Sequence, residues 1–575
     1  MKELVKYMMR LIFWLGLLGV ITIIYDAGFE KTHTVERIIY WIYLLAVIGG
    51  VIFILTSHEY HNVRSEKKVL TTDFLLIFLC LIIIVQLIIN FNEKLPPQHP
   101  LLSLVIILLF IRELATYHFQ IEKRYINPAQ LFIISFISII IIGTALLMLP
   151  RSTNNGIDLI DALFTSTSAV CVTGLSVVDI GQCYTRTGQT IIIILMQAGG
   201  LGIMTFTSYF GYFFKGGASY QNRLMIQDMT NSERIADVFS MLKNILMITF
   251  IIEFVGSVII FSSLDQSLIG SFRDRAFFSI FHSVSAFCNA GFSTLTNSLY
   301  EIGFRFNYVL QLTVAILIII GGIGFPIVFD TIRYVKKSLM DRLKNQPSHT
   351  PWIIGINTRI VLITTLCLLI GGTLIIYFLE YNNTLSEHTG LGKLVTAFFC
   401  ATVPRTAGFN SVDMTAINLS TIMLIFILMW IGASPGSTGG GIKTSTFAIA
   451  ILNFLSLARG KDRIEIFRRE ISSISARRAS AAISLSLIVI GISVFLLSIF
   501  DSDKNLTQLA FESVSAFGTV GLSLGITGAL SDPGKMIIIL TMFIGRVSML
   551  TILVAFLRRI INLKYKYPIE DVLIN

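Results

Sequence analysis

Charge is scarce in this 575-residue chain: 14% of its residues are Asp, Glu, Lys or Arg, against 54% that are hydrophobic. Soluble domains carry about 25% charged residues, so an ordinary soluble protein is excluded. The six cysteines (Cys80, Cys171, Cys183, Cys288, Cys367, Cys400) contain no C-x-x-C pair, and neither a zinc centre nor a disulfide framework is indicated. No cluster of His, Asp and Glu gathers where one membrane face would be, which argues against a membrane-embedded transferase acting on lipid-linked substrates. His58 and His61 stand three apart beside a basic run and read as interfacial polar residues. No small-residue cleavage site follows the apolar run 11–25, so it reads as a retained helix and not a secretion signal. The net charge of +10 sits in loops between apolar blocks and points to no nucleic acid.

What is present is apolar length, with a mean hydropathy of +0.78 and block after block near the ~20 residues that cross a bilayer as a helix. The expected fold class is an all-α polytopic membrane protein. Four leading spans are expected at 9–25, 37–56, 73–91 and 100–116, within a region 1–120. Beyond them one thirteen-residue phrase occurs four times: FTSTSAVCVTGLS at 164–176, FHSVSAFCNAGFS at 281–293, a weaker FFCATVPRTAGFN at 398–410, and FESVSAFGTVGLS at 511–523. The glycines in its eleventh slot, Gly174, Gly291, Gly408 and Gly521, are 117, 117 and 113 residues apart. A nearly fixed period means one unit used four times. The units span 125–215, 236–337, 355–458 and 478–562, each read as span, short segment bearing the phrase, span; a tail follows at 563–575. About a dozen residues lead into each phrase, too few to cross, which suits a re-entrant helix.

Orientation follows from lysine and arginine in short loops. Six basic residues lie from Arg333 to Arg359 and seven from Arg459 to Arg478, both after a second span, so those ends are expected in the cytoplasm, with the N-terminus beside them. The phrases then open outward, where acids such as Asp158, Asp161, Asp179, Asp501, Asp503 and Asp532 outnumber bases, and an acidic mouth concentrates cations.

A non-helical backbone at membrane depth is tolerated only where protein buries it or water lines it. The segment Cys171–Ser176 has a glycine with small or hydroxylated neighbours, so it can run extended with its carbonyls exposed, and the glycine allows positive φ and a close approach. The preceding short helix would turn its negative end toward the same point. One such loop is an ordinary packing turn; four in register argue for carbonyl rings around one axis.

These residues resemble the ion-translocating membrane subunit of the Trk/Ktr/HKT superfamily of potassium transporters, the bacterial Ktr/Trk type most closely, over about residues 125–565. The resemblance implies four span–pore-loop–span repeats around one pore, with the four N-terminal helices as extra elements. It implies a selectivity filter of Val172, Thr173 and Gly174, Asn289, Ala290 and Gly291, Thr406, Ala407 and Gly408, and Thr519, Val520 and Gly521, with K+ at their backbone carbonyls. In the plant branch a serine in the first filter position goes with sodium transport; Gly174 here favours potassium. Na+ dependence, or a sodium-permeable member of the same superfamily, stays open.

The stretch GASPGSTGGGIKTST at 432–446 cannot hold a continuous helix, with five glycines and a proline within ten residues. It also misses a phosphate-binding loop, because Ile442 stands where the lysine of G-x-x-x-x-G-K-[ST] belongs. The resemblance makes it an intramembrane gating loop of Gly432, Ser434, Pro435, Gly436, Ser437, Thr438, Gly439, Gly440 and Gly441, held by Lys443 through a carboxylate or carbonyl and flanked by Arg546. An arginine inside an apolar span is a functional-site hypothesis by default. The family pattern Gly-Arg-Val-Gly-Pro departs here to Gly545-Arg546-Val547-Ser548-Met549, and this second span reads as one that keeps its helix. Glu253 reads as structural pairing, against a role in ion coupling. The resemblance further implies a homodimer in the cell membrane on a cytoplasmic, nucleotide-binding RCK-type regulatory subunit. No such domain and no organic cofactor is expected in this chain.

Overall fold

A computed structural model of the chain describes residues 2–30, 32–60, 76–81, 83, 100–116, 128–215, 238–343 and 355–556. The third leading span expected at 73–91 lies mostly outside the described residues, as do His61, residues 344–354 and the tail 563–575. Helix predominates in what is described. First come α1 (Lys2–Gly28), α2 (His33–Tyr60) and α3 (Pro100–Thr116), with residues 76–81 also helical between α2 and α3. The first unit holds α4 (Pro128–Leu147), α5 (Leu159–Cys171) and α6 (Arg186–Lys215). The second holds α7 (Val238–Ser263), α8 (Phe272–Phe287), α9 (Tyr308–Ile323) and α10 (Phe325–Leu343). The third holds α11 (Ile356–Glu380), α12 (Leu391–Thr402), α13 (Leu419–Trp430) and α14 (Thr444–Ala458). The fourth holds α15 (Ser473–Phe500), α16 (Leu506–Gly518), α17 (Asp532–Val547) and α18 (Met549–Phe556).

Among the described residues, Thr34–Ile52, Lys243–Ser263, Ile356–Glu380 and Ser473–Phe500 are long and apolar enough to cross a membrane, and α9 with α10 adds a fifth if the bent pair is one span. Their outward faces stay apolar, with Phe254 and Val258 on α7 and Ile488, Ile492 and Phe495 on α15 all exposed. Water would not favour such faces; a hydrocarbon phase does. The helices that carry the phrase, α5, α8, α12 and α16, have only 13, 16, 12 and 13 residues. At 1.5 Å per residue they are too short for a hydrocarbon core of about 30 Å.

The packing of these short helices closes on itself. Each lies on its own unit's first helix and on the second helix of the unit before: α5 on α4 and α17, α8 on α7 and α6, α12 on α11 and α9, α16 on α15 and α13. One apolar core joins the first and fourth units, with Phe164, Ile192, Leu509 and Met542; another joins the second and third, with Phe278, Val314, Phe399 and Met429. A third holds the leading helices together through Tyr43, Val47 and Ile106. Those helices meet the first unit where the Arg151 N–H donates to the Gly28 carbonyl at 3.0 Å.

The second helices differ from unit to unit. α6 runs unbroken, whereas α9 and α10 meet at 101° across Gly324, whose φ is +95°. Residues 431–443 part α13 from α14. The fourth unit corrects the expectation of a continuous helix, because α17 stops at Val547 and α18 starts at Met549. Ser548 lies between them at φ +73°; its N–H ends one helix on the Ile544 carbonyl, and its own carbonyl starts the next by accepting from Thr551 and Ile552. The basic connection after α14 also holds a hairpin, β1 (Ile464–Ile466) against β2 (Arg469–Ile471), with Ile464 opposite Ile471 and both turn residues, Phe467 and Arg468, at positive φ.

One ion pair closes the circle between the fourth and first units: Lys535 Nζ on α17 lies 2.6 Å from Asp161 Oδ1 on α5, with only 11% and 17% of the two side chains exposed. Removing one partner of a buried pair costs about 3 kcal/mol or more, because the other charge stays desolvated. Lys535→Met is therefore expected to lower the melting temperature in detergent by several degrees, and Lys535→Met with Asp161→Leu to recover most of it. Equal losses in the single and double variants would show that the pair does not hold the ring closed.

Candidate functional site

The four phrases share one turn, although their helices end at slot eight in the first and fourth, slot seven in the second and slot five in the third. Slot nine takes a left-handed backbone, with φ of 58° at Val172, 59° at Asn289, 70° at Thr406 and 50° at Thr519. That turn folds the next N–H groups back on the helix: Thr173 N donates to Ser168 O at 2.8 Å, Ala290 N to Ser285 O at 2.7 Å, and Val520 N to Ser515 O at 2.9 Å. Slot eleven follows at φ of 89° at Gly174, 73° at Gly291, 73° at Gly408 and 92° at Gly521. Serine hydroxyls from slot five hold two of these glycines, since Gly174 N donates to Ser168 Oγ and Gly521 N to Ser515 Oγ, each at 3.1 Å. With the N–H groups spent on the short helices, no donor among the described residues bonds the carbonyls of Thr173, Ala290, Ala407 or Val520.

Those carbonyls meet the glycines of neighbouring segments. A Cβ on Gly174 would overlap the Ala290 carbonyl oxygen, one on Gly291 that of Ala407, one on Gly408 that of Val520, and one on Gly521 that of Thr173. The chain of contacts returns to its start. Four stretches more than 100 residues apart thus form a closed ring that only glycine permits.

On one face of the ring opens a cavity of about 470 Å³, lined by all four glycines with Ser176, Asp179, Ser293, Asn410, Asp413 and Ser523. Asp179 caps the one-turn helix Ile180–Cys183, accepting from Gly181 N at 2.8 Å and Gln182 N at 3.1 Å. Tyr300, also at this mouth, donates to Glu387 at 3.1 Å; burial first, then that carboxylate, push its phenol up and keep it a donor.

Loop 431–443 lies against the opposite face. Gly440 N donates to Thr519 Oγ1 at 3.0 Å, and Thr438 Oγ1 to Asn289 Oδ1 at 3.3 Å, while Asn289 Nδ2 reaches Thr406 Oγ1 at 3.0 Å. Slot-nine side chains therefore form the floor on which the loop sits. Gly432 has no room for a side chain because the Gly440 carbonyl from the loop's other arm fills the place, and Gly436 and Gly441 sit at φ of 72° and 65°. The loop is tied to the α9–α10 bend: Ser434 N donates to Gly322 O at 3.0 Å, Ser434 Oγ also reaches Ile323 O, and Gly436 O accepts from Phe325 N at 3.0 Å. Pro435 O lies beside Gly324, and Ser437 Oγ donates to Ser434 O at 2.6 Å. Lys443 Nζ holds the Gly439 carbonyl at 2.7 Å. Arg546, 3% exposed, donates to the Thr438 carbonyl in the loop and to Gly199 O of α6 at 2.6 Å.

The residues expected to act together are thus together: three slots from each phrase in one ring, the glycine-rich loop under it, and Lys443 and Arg546 on the loop's carbonyls. Glu253 lies apart, paired structurally with Gln197 Nε2 at 2.9 Å behind the second segment. Arg405, the slot-eight residue of the third phrase, is buried with its guanidinium 3.5 Å from Thr365 Oγ1, away from the mouth. Gly199, Gly321 and Gly545 stand out in the sequence of the second spans, but their packing role is visible only in the structure. A Cβ on them would overlap the carbonyls of Val170, Phe287 and Phe517, so these glycines let three second helices approach the ring. Their signal was a glycine 24 to 30 residues beyond each ring glycine. Among the described residues no group of three His, Cys, Asp or Glu side chains is arranged to hold a metal ion.

Apolar helices about a ring of backbone oxygens, open to an acid-lined mouth, describe a membrane cation transport protein. The family model described as cation transport protein (TrkH) matches residues 98–562, and the chain belongs to that family. It is 35% identical over 454 residues to the Ktr system potassium uptake protein B of Vibrio alginolyticus, covering 79% of this chain and 96% of that one. It is 38% identical over 432 residues to the protein of the same name from Bacillus subtilis, covering 75% and 93%. The potassium/sodium uptake protein NtpJ of Enterococcus hirae is 35% identical over 467 residues, covering 79% and 98%. Among solved structures, the potassium transporter TrkH from Vibrio parahaemolyticus shares the fold, with a TM-score of 0.60 at 17% identity over 84% of this chain and 96% of that one. The chain is a multi-pass membrane ion transporter, not an enzyme.

Proposed function

We propose that the chain takes up potassium across the cell membrane through a filter made by the four glycine segments. The carbonyls of Val172, Thr173 and Gly174, and of their counterparts in the other phrases, replace the ion's water. One observation carries this reading: each ring glycine abuts the carbonyl of a neighbouring segment, which gathers backbone oxygens around one axis. The negative ends of α5, α8, α12 and α16 favour a cation at the same point. A membrane potential of about 100 mV supplies about 2.3 kcal/mol per charge, enough for roughly 50-fold accumulation.

The loop with Lys443 and Arg546 is the gate in this reading, supported by its hydrogen bonds to both the ring floor and the α9–α10 bend. The contact of Gly28, at the end of α1, with Arg151 on the mouth side supports a cytoplasmic N-terminus. A homodimer on a cytoplasmic nucleotide-binding subunit is the assembly we infer, with the basic connection 459–478 as a docking surface; relatives named as parts of a Ktr system support it. The reading to separate from this one is a sodium-permeable transporter, since one relative is named for potassium and sodium.

Uptake of potassium, rubidium and sodium, with external sodium varied, in cells lacking their own systems tests both. Potassium and rubidium are expected to enter at similar rates and sodium at least tenfold more slowly, with Gly174→Ser raising the sodium share several-fold. Equal sodium and potassium uptake by the native chain would favour the alternative.

A further inference from the structure

The ring has an outer rim, and two fully buried side chains that the transport reading leaves unused reach it. Slot two of the phrase is Thr165, His282, Phe399 or Glu512, and slot thirteen, on the rim, is Ser176, Ser293, Asn410 or Ser523. In the second unit His282 Nε2 lies 2.9 Å from Ser293 Oγ. His282 Nδ1 lies 2.9 Å from the Phe278 carbonyl, which only accepts, so Nδ1 carries the ring proton and Nε2 accepts from the serine. In the fourth unit Ser523 Oγ donates to Glu512 Oε1, which also accepts from Thr527 Oγ1 at 3.0 Å. Each serine then accepts from the backbone two residues on, Leu295 N to Ser293 Oγ at 3.0 Å and Gly525 N to Ser523 Oγ at 2.9 Å.

Two unlike residues in the same slot thus do the same thing. Each is an acceptor that draws the rim hydroxyl's proton away from the mouth and pins the chain where it leaves the ring. The other two units lack the bond, since Thr165 Oγ1 donates to Asp161 O at 2.9 Å and Phe399 has no polar group. The order of packing around the ring sets the second and fourth units opposite each other.

We propose that His282–Ser293 and Glu512–Ser523 are a pair of opposed clamps that hold the outer rim and set the transporter's discrimination between potassium and smaller cations. This rests on the filter reading of the ring. A held rim resists shrinking around a smaller ion, so oxygens spaced for potassium coordinate sodium poorly; a released rim relaxes toward it. His282 and Glu512 are positioning residues, because they touch the rim and not the ion.

The test measures sodium against rubidium uptake at matched membrane abundance for Ser523→Ala, His282→Phe (the residue type of the third unit), Ser523→Thr and Thr165→Val. Ser523→Ala and His282→Phe are expected to raise the sodium-to-rubidium ratio three-fold or more while uptake persists. Ser523→Thr, which keeps the hydroxyl, is expected to restore a ratio near the native one, and Thr165→Val to leave it unmoved. An unchanged ratio in both Ser523→Ala and His282→Phe, or an equal rise in Thr165→Val, overturns the clamp. Failure of the ring reading is distinct, because uptake would then survive replacement of the ring glycines themselves. Should His282→Phe not reach the membrane, Ser293→Ala removes the same bond from the rim side and is read in the same way.

Discussion

Gly521→Val is expected to bring rubidium uptake down to that of cells without the transporter, and Gly174→Val to do the same. Both positions combine two constraints. Their φ angles, 92° and 89°, lie where a β-branched residue is an outlier, a strain of about 1–3 kcal/mol. The larger effect is spatial: the new Cβ would occupy the place of the Thr173 or Ala290 carbonyl oxygen, and backbone oxygens cannot step aside as a flexible side chain can. Under the proposed filter reading, displacing one carbonyl opens the ring where a cation would exchange water for protein. Membrane abundance of each variant, measured alongside uptake, separates lost transport from lost protein. Native uptake in both variants would end the assignment of these segments as the filter.

Shortening the loop within 436–441 is expected to raise basal flux, by about tenfold or more. The loop rests against the face of the ring opposite the mouth, and its own glycine and proline content denies it helical stiffness, so it stays in place through side-chain and backbone bonds. One of these is Arg546, which joins the Thr438 carbonyl in the loop to the Gly199 carbonyl of α6. It also adds charge: a cation passing about 5 Å from the guanidinium meets about 3 kcal/mol of repulsion at an effective dielectric of 20. Arg546→Ala removes both and is expected to raise flux in the same direction as the deletion. Flux unchanged in both variants would show that neither is the barrier.

Much of this arrangement could be read along the chain. The phrase marked where short helices end, its slot-eleven glycine marked the ring, and the glycines of 432–446 marked a broken span. Lys443 was expected on a carboxylate or carbonyl, and it lies on the Gly439 carbonyl. Other features left little local trace. The break at Ser548 has neither glycine nor proline to announce it; it shows only in the left-handed backbone there. The hairpin at 464–471 sits in a connection whose composition signals only charge.

The sequence by itself determined the elements: lengths of apolar helix, the positions where the backbone must turn left-handed, and the fourfold recurrence of one pattern. These depend on neighbours a few residues away, and periodicity carries them. Tertiary structure alone decided the partners. Asn289 meets Thr406 across 117 residues, Thr438 meets Asn289 across 149, and Arg546 meets Gly199 across 347. The rim clamps lie only eleven residues apart, yet they too waited on the fold, since the same slots in the first and third units do not bond. Such bonds form only when four helix ends are brought around one axis with water excluded. Under those conditions a buried donor or acceptor must find a partner among whatever the packing sets beside it.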